Sequence, residues 1–225
     1  MDVNRTFFGV AGTDWFFAFQ IAMAYIFAIP QLFRMFEDVR GVTITWLLFA
    51  LIFVVLNLEL AWSTHHKAQT RATFQTLCIY GNWVLLLGPM VAIAFAKCVW
   101  TRQDSVVSSF IGVAAIAVML WGRVTKRGAA DPFLRGLLVG LFRVVPHLYL
   151  VGCIVYAGSA SGIPLKTIVA ANITATARII TLVLSGRESG WGKGMKASLV
   201  SEIANEGSWL LVTATWLMYT AQAFA

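Results

Sequence analysis

VTITWLLFALIFVVLNLELAW, Val42 to Trp62, runs for 21 residues with a single charge, Glu59. About 20 consecutive apolar residues make a helix long enough to cross the hydrocarbon core of a bilayer, so this stretch predicts a membrane-spanning helix. Reading outward gives six more such runs: Trp15 to Phe36, Thr73 to Ala96, Val106 to Val124, Phe133 to Ala157, Ile163 to Leu184, and a last one from near Glu202 to the C-terminus. Strand-like alternation is absent, which argues against a β-barrel. The expected fold is an all-α integral membrane protein with seven transmembrane helices. The run from Ser185 to Lys196 carries Gly186, Gly190, Gly192 and Gly194 and reads as a flexible linker.

Composition agrees. Of 225 residues, 59% are hydrophobic and 12% charged, where a soluble domain carries about a quarter charged. The net charge of +7 sits mostly in short gaps between apolar runs, so it reads as membrane topology rather than nucleic-acid binding. Cys78, Cys98 and Cys153 lie in or at the ends of apolar runs without CxxC spacing and read as packing residues. The first apolar run is long enough to remain as a span rather than a cleaved signal. Ten Lys and Arg fall at the N-terminus and after the second, fourth and sixth runs, against five on the opposite side. That bias predicts a cytoplasmic N-terminus.

The ends of the chain repeat one another. Ile29-Pro30-Gln31-Leu32 in the first run matches Val145-Pro146-His147-Leu148 in the fifth, Asn57 in the second matches Asn172 in the sixth, and Gly81-Asn82-Trp83 in the third matches Gly207-Ser208-Trp209 in the seventh. The offsets are 116, 115 and 126 residues, the excess falling in the glycine-rich segment. Three landmarks in order predict a 3+1+3 parallel repeat. Residues 1–100 form the first three-helix unit, 101–128 the connector helix and 129–225 the second unit. Parallel repeats of this kind place a solute site between the halves near the bilayer midplane.

Pro30-Gln31, followed by Gly41-Val42-Thr43 and an apolar span, resembles the PQ-loop motif; Pro146-His147, followed by Ser161-Gly162-Ile163-Pro164, resembles a second copy with His in place of Gln. The chain is thus similar to the PQ-loop and SWEET transporter superfamily, and the resemblance covers nearly its whole length. It implies alternating access, with Pro30, Gln31 and Pro146 as hinges. It also implies an extracellular or lumenal N-terminus, contrary to the charge bias. By that resemblance Asn82 and Trp62 contribute to a solute site from the first half. The second half offers Ser208, with Asn205 one turn earlier, while Trp62 has Ala177, next to Arg178, as its counterpart. A guanidinium stands where an aromatic platform would hold a sugar, which favours a smaller or charged solute.

Ionisable groups inside a bilayer are costly and face the bundle interior or a cavity. Arg143 and His147 are one helical turn apart and share a face; Arg178 lies well inside the sixth run. Together they suit an anionic or zwitterionic solute, with Glu59, Glu206 or His147 as carriers of a coupling proton. Glu59 and Glu206 could equally pair with the two arginines to hold the bundle, or snorkel to an interface.

Other chemistries are disfavoured. His65-His66 point different ways on a helix and lack a third ligand, so no metal site is expected. The seventh run has no lysine for a retinal Schiff base, and no nucleophile pair or metal cluster suggests an enzyme. Two functions from different classes fit the chain: a membrane transporter or facilitator for a small polar solute, and a non-catalytic structural or assembly subunit of a larger membrane complex. The expected partners are the lipid bilayer and a small-molecule solute, with a second copy of the chain or other membrane subunits open, and no cofactor.

Overall fold

Thr43 begins the second apolar helix by accepting a hydrogen bond from Trp46 N on its hydroxyl, an N-cap that satisfies one of the free donors of the first turn. The computed structural model describes residues 6–7, 10–97, 99–127, 131–189, 191 and 193–221. A two-residue hairpin, β1 (Thr6–Phe7) and β2 (Val10–Ala11), precedes α1 (Gly12–Glu37), α2 (Ile44–Ala68), α3 (Arg71–Ala96) and α4 (Arg102–Val124). α5 (Pro132–Val139), a π-helical stretch (Gly140–Val144) and α6 (Val145–Ala157) follow one another without a break, before α7 (Leu165–Ser189) and α8 (Lys193–Ala221).

Among the described residues, five segments are long and apolar enough to cross a membrane: Asp14–Glu37, Ile44–Lys67, Thr73–Ala96, Arg102–Val124 and Phe133–Ala157. Large apolar side chains cover the outside of the bundle, Phe33, Val113 and Tyr156 among them, as lipid-facing surface requires. α7 and α8 have the length, but they are diluted by Arg178, Glu202 and Glu206. The expected glycine-rich linker is mostly helix. α7 continues to Ser189 and α8 begins at Lys193, well before Glu202. Gly190 and Gly192 lie outside the described residues.

The packing between elements maps onto itself when the two ends of the chain are exchanged. α3 packs on both α1 and α2; α8 packs on both α7 and the α5–α6 rod. Across the middle, α1 meets α7, and α2 meets the π-helical stretch and α6. The paired asparagines behave alike as well: Asn57 Nδ2 donates to Phe53 O at 2.7 Å and Asn172 Nδ2 to Ile168 O at 2.8 Å, each to the carbonyl four residues back. α4 stands apart, touching α2 and the α5–α6 rod. Its Asp104 is buried and accepts from Thr45 Oγ1 at 2.7 Å and from Thr101 Oγ1 at 2.6 Å, so one carboxylate caps α4 and ties it to α2.

One end of the bundle is locked by its loops. The α1–α2 turn and the α6–α7 turn, which follow the matched prolines Pro30 and Pro146, grip each other. Gln31 Nε2 donates to Gly162 O at 2.8 Å, Gly162 N to Arg40 O at 2.9 Å, and Arg34 Nε to Ser161 O at 2.7 Å. Ser161 Oγ donates to Asp38 Oδ2 at 2.5 Å. The Arg40 side chain hydrogen-bonds the same carboxylate and, with Ser161, holds it well below the usual carboxylate range against the opposing effect of burial. Gly41 sits at φ +76, and a Cβ there would lie 2.6 Å from Ser159 O; a Cβ on Gly162 would lie 2.6 Å from Arg40 O. Only glycine lets both backbones approach this closely. Below the lock, the main apolar core fills the same half of the bundle, with Met35, Ile44, Met90, Ile154, Ile163 and Val212 fully buried.

Candidate solute-binding cavity

Pro146 has no N–H to continue an α-helical ladder, and its ring crowds the carbonyl four residues earlier. The chain accommodates it by widening into the π-helical turn of Gly140–Val144, where Val145 N reaches back to Gly140 O. Such turns occur often at functional sites. Here the turn carries Arg143, and His147 follows one residue after the proline. Pro30, the matching residue, sits inside an unbroken α1; the two candidate hinges therefore differ in local geometry. Gln31 is committed to the loop lock, while His147 turns to the cavity.

A cavity lies at the middle of the bundle, between the halves. Four helices each offer one face to it. α2 supplies Trp46, Ala50, Phe53 and Val54; α3 supplies Tyr80, Trp83 and Leu87; α7 supplies Ala171, Thr174, Ala175 and Arg178; α8 supplies Asn205 and Trp209. These residues recur at spacings of three and four, the period of one helical face. Phe27, Phe142, Arg143 and His147 complete the lining. The cavity volume is about 70 Å³, room for only a few waters at ~30 Å³ each.

The floor is aromatic. Phe27 meets Trp83 edge-on at 5.5 Å between centroids and Trp209 at 6.1 Å, and Trp46 meets Trp209 at 5.9 Å. Trp83 and Trp209, matched in the repeat, thus converge on one ring. The His147 ring lies 4.6 Å from that of Trp209.

The polar groups are sparse and specific. Ser208 Oγ donates to Asn205 O at 2.6 Å, so it must accept from His147 Nδ1–H at 2.8 Å. This assigns the His147 tautomer and leaves Nε2 as an acceptor. Asn205 is 1% exposed, and its Oδ1 is buried without a hydrogen bond. Arg143 lies 5.5 Å over the Phe53 ring; it is repelled by Arg178 and attracted by Glu202. Among the described residues neither Arg143 nor Arg178 has a carboxylate within ion-pair distance, and the ion pairs present join Arg34, Arg40, Arg71 and Arg127 to acids near helix ends. Two guanidiniums therefore face one small cavity, with Glu202 near Arg143 but no carboxylate at ion-pair distance from either among the described residues.

The expected site residues separate into two groups. Arg178, His147 and Asn205 line the cavity and Ser208 supports it from behind, buried. Asn82 adjoins Trp83, but its buried Nδ2 has no partner and it does not line the cavity. Trp62, 64% exposed, stands on the outer surface, because the inward face of α2 carries Asn57 and Ala61 and the next residue points away. Glu59 is exposed in a separate groove beside Arg135, which itself bonds Asn57 Oδ1 at 3.0 Å. Glu206 meets Thr176 Oγ1 at 3.4 Å, on the flank where α7 packs on α8. The expected pairing of Glu59 and Glu206 with the two arginines is not made. Glu202, one turn before Glu206, is the acid whose charge reaches Arg143; its spacing of three from Asn205 was the signal for it. His65 Nδ1 bonds Thr73 Oγ1 at 2.9 Å and so braces the α2–α3 turn. Comparison of the chain with protein-family models, with curated proteins and with solved structures finds no match.

Proposed function

We propose that the chain is a transporter or facilitator for a small polar solute, preferably an anionic one, working by alternating access between two three-helix halves joined by α4. On this reading all seven helical rods span the membrane in a 3+1+3 parallel repeat, and the chain is a divergent relative of the PQ-loop and SWEET transporters. The internal symmetry of the helix packing supports the repeat.

The observation that carries the function is the pair of guanidiniums, Arg143 and Arg178, lining a cavity between the halves with no carboxylate at ion-pair distance among the described residues. In a bilayer Arg178, repelled by Arg143, costs stability and contributes little to a scaffold; it is useful to a protein that admits an anion. The lock at one end adds the second requirement of alternating access, a closed gate on one side of the site. Its bonds join equivalent turns of the two halves, so relative motion of the halves breaks them together.

Uptake by the purified chain in vesicles tests this. Radiolabelled sugars, amino acids and short carboxylates are offered to protein-containing and protein-free vesicles, with and without a pH gradient. Saturable flux of a carboxylate or amino acid above the protein-free level is expected. Equal flux in both preparations for all three classes would return the chain to the alternative, an assembly subunit.

A further inference from the structure

Resting on that transport reading, we infer that the cavity is built for a short 2-hydroxy carboxylate, its carboxylate held by Arg143 and Arg178 and its hydroxyl donating to Asn205. The donors come first. A guanidinium offers only N–H groups, in a fork that matches the two oxygens of a carboxylate, and both forks here lack an acidic partner among the described residues. A carboxylate bridging them also cancels the repulsion between Arg143 and Arg178.

The acceptors narrow the class. Asn205 Oδ1 is buried with no donor, on a residue that lines the same cavity. His147 spends its Nδ1–H on Ser208, which leaves its other ring nitrogen as a second acceptor on the wall. Buried polar atoms are normally paired, so the solute that completes this site must donate as well as accept. Acetate, propionate and fully ionised phosphate lack that donor.

Charge and size narrow it further. Among the described residues the lining holds two cations and no carboxylate, and Glu202 lies close enough to offset one of them. One negative charge remains to be supplied, which a monoanion provides and a zwitterion does not. An opening of about 70 Å³ admits only a few heavy atoms. The Trp46 and Trp83 walls suit a short hydrocarbon stem between the two polar ends.

Tryptophan fluorescence reports binding directly, because Trp46, Trp83 and Trp209 surround the cavity. The purified full chain in detergent is titrated with glycolate, lactate, propionate, lactamide and alanine. Glycolate and lactate are expected to bind tightest, propionate about 10-fold more weakly for want of one hydrogen bond, and lactamide without saturation. Asn205→Ala is expected to bring lactate and propionate within about 2-fold of each other while leaving propionate unchanged. Should that variant fail to fold, the ligand series on the unaltered chain still decides. Equal binding of lactate and propionate overturns the hydroxyl contact; tighter alanine or lactamide overturns the charge assignment. If none of the five binds but another solute enters vesicles, this proposal falls and the transport reading stands. If lactate binds but nothing is transported, the reverse holds.

Discussion

Gly162→Ala is expected to open the locked end of the bundle and to destabilise the chain by about 2–4 kcal/mol, combining an overpacking cost with the loss of one or two buried hydrogen bonds. The cost is steric. The new methyl would meet Arg40 O at 2.6 Å, Val39 C at 3.0 Å and Arg40 N at 3.1 Å, all backbone atoms that cannot rotate away. The α1–α2 turn must then withdraw. That movement breaks the bond from Gly162 N to Arg40 O and pulls on the one from Gln31 to Gly162 O. Gly152→Ala serves as the control: nothing lies within 4 Å of its Cβ position, and alanine is the better helix former by up to about 1 kcal/mol. Melting temperatures of the two variants in detergent check the contrast. A Gly162→Ala protein as stable as the unaltered chain would show that the loops do not hold this end shut.

Arg178→Gln should separate function from stability. Uptake or binding of the anion is expected to fall about 10- to 100-fold, the worth of one or two charge-assisted hydrogen bonds. The empty protein, by contrast, is expected to melt no lower than the unaltered chain, and higher if repulsion dominates, because the guanidinium repels Arg143 and closes no ion pair among the described residues. Arg143→Gln differs. Glu202, one of whose oxygens is already buried without a hydrogen bond, loses the cation that attracts it, and stability should fall along with binding. A structural arginine gives the opposite result at position 178, with lower melting and unchanged flux.

Much of this architecture is legible in residue order alone, for physical reasons that also mark where legibility ends. Apolar runs long enough for a bilayer identify the first five spans within a few residues, because hydropathy and length act locally. α8 is harder. Its opening turns carry Lys193, Lys196, Glu202 and Glu206, so hydropathy alone sees a linker where the backbone continues as helix. Asn57 and Asn172, matched in the sequence, do the same local work. Trp62 stands outside the cavity because a resemblance fixes a position along a helix, whereas helix phase decides the face; Ala61, its neighbour, is the buried one. The loop lock lies beyond sequence reading. Gln31 and Gly162 are 131 residues apart, and no local signal marks two glycines as the points where distant backbones touch.

The central claim is that the two halves move against each other about the cavity, and paired distances on the same molecule test it most directly. With Cys78, Cys98 and Cys153 replaced, spin labels at Glu37 and Ser159 bracket the locked end, and labels at Gln69 and Lys196 bracket the other. Distances are measured in nanodiscs with and without the carboxylate that binds best. Two populations are expected at each end, exchanging in opposition: molecules with a short distance at the lock have a long one at the far end, and ligand changes the ratio. A single distance at both ends, unmoved by ligand and by Gly162→Ala, would contradict it.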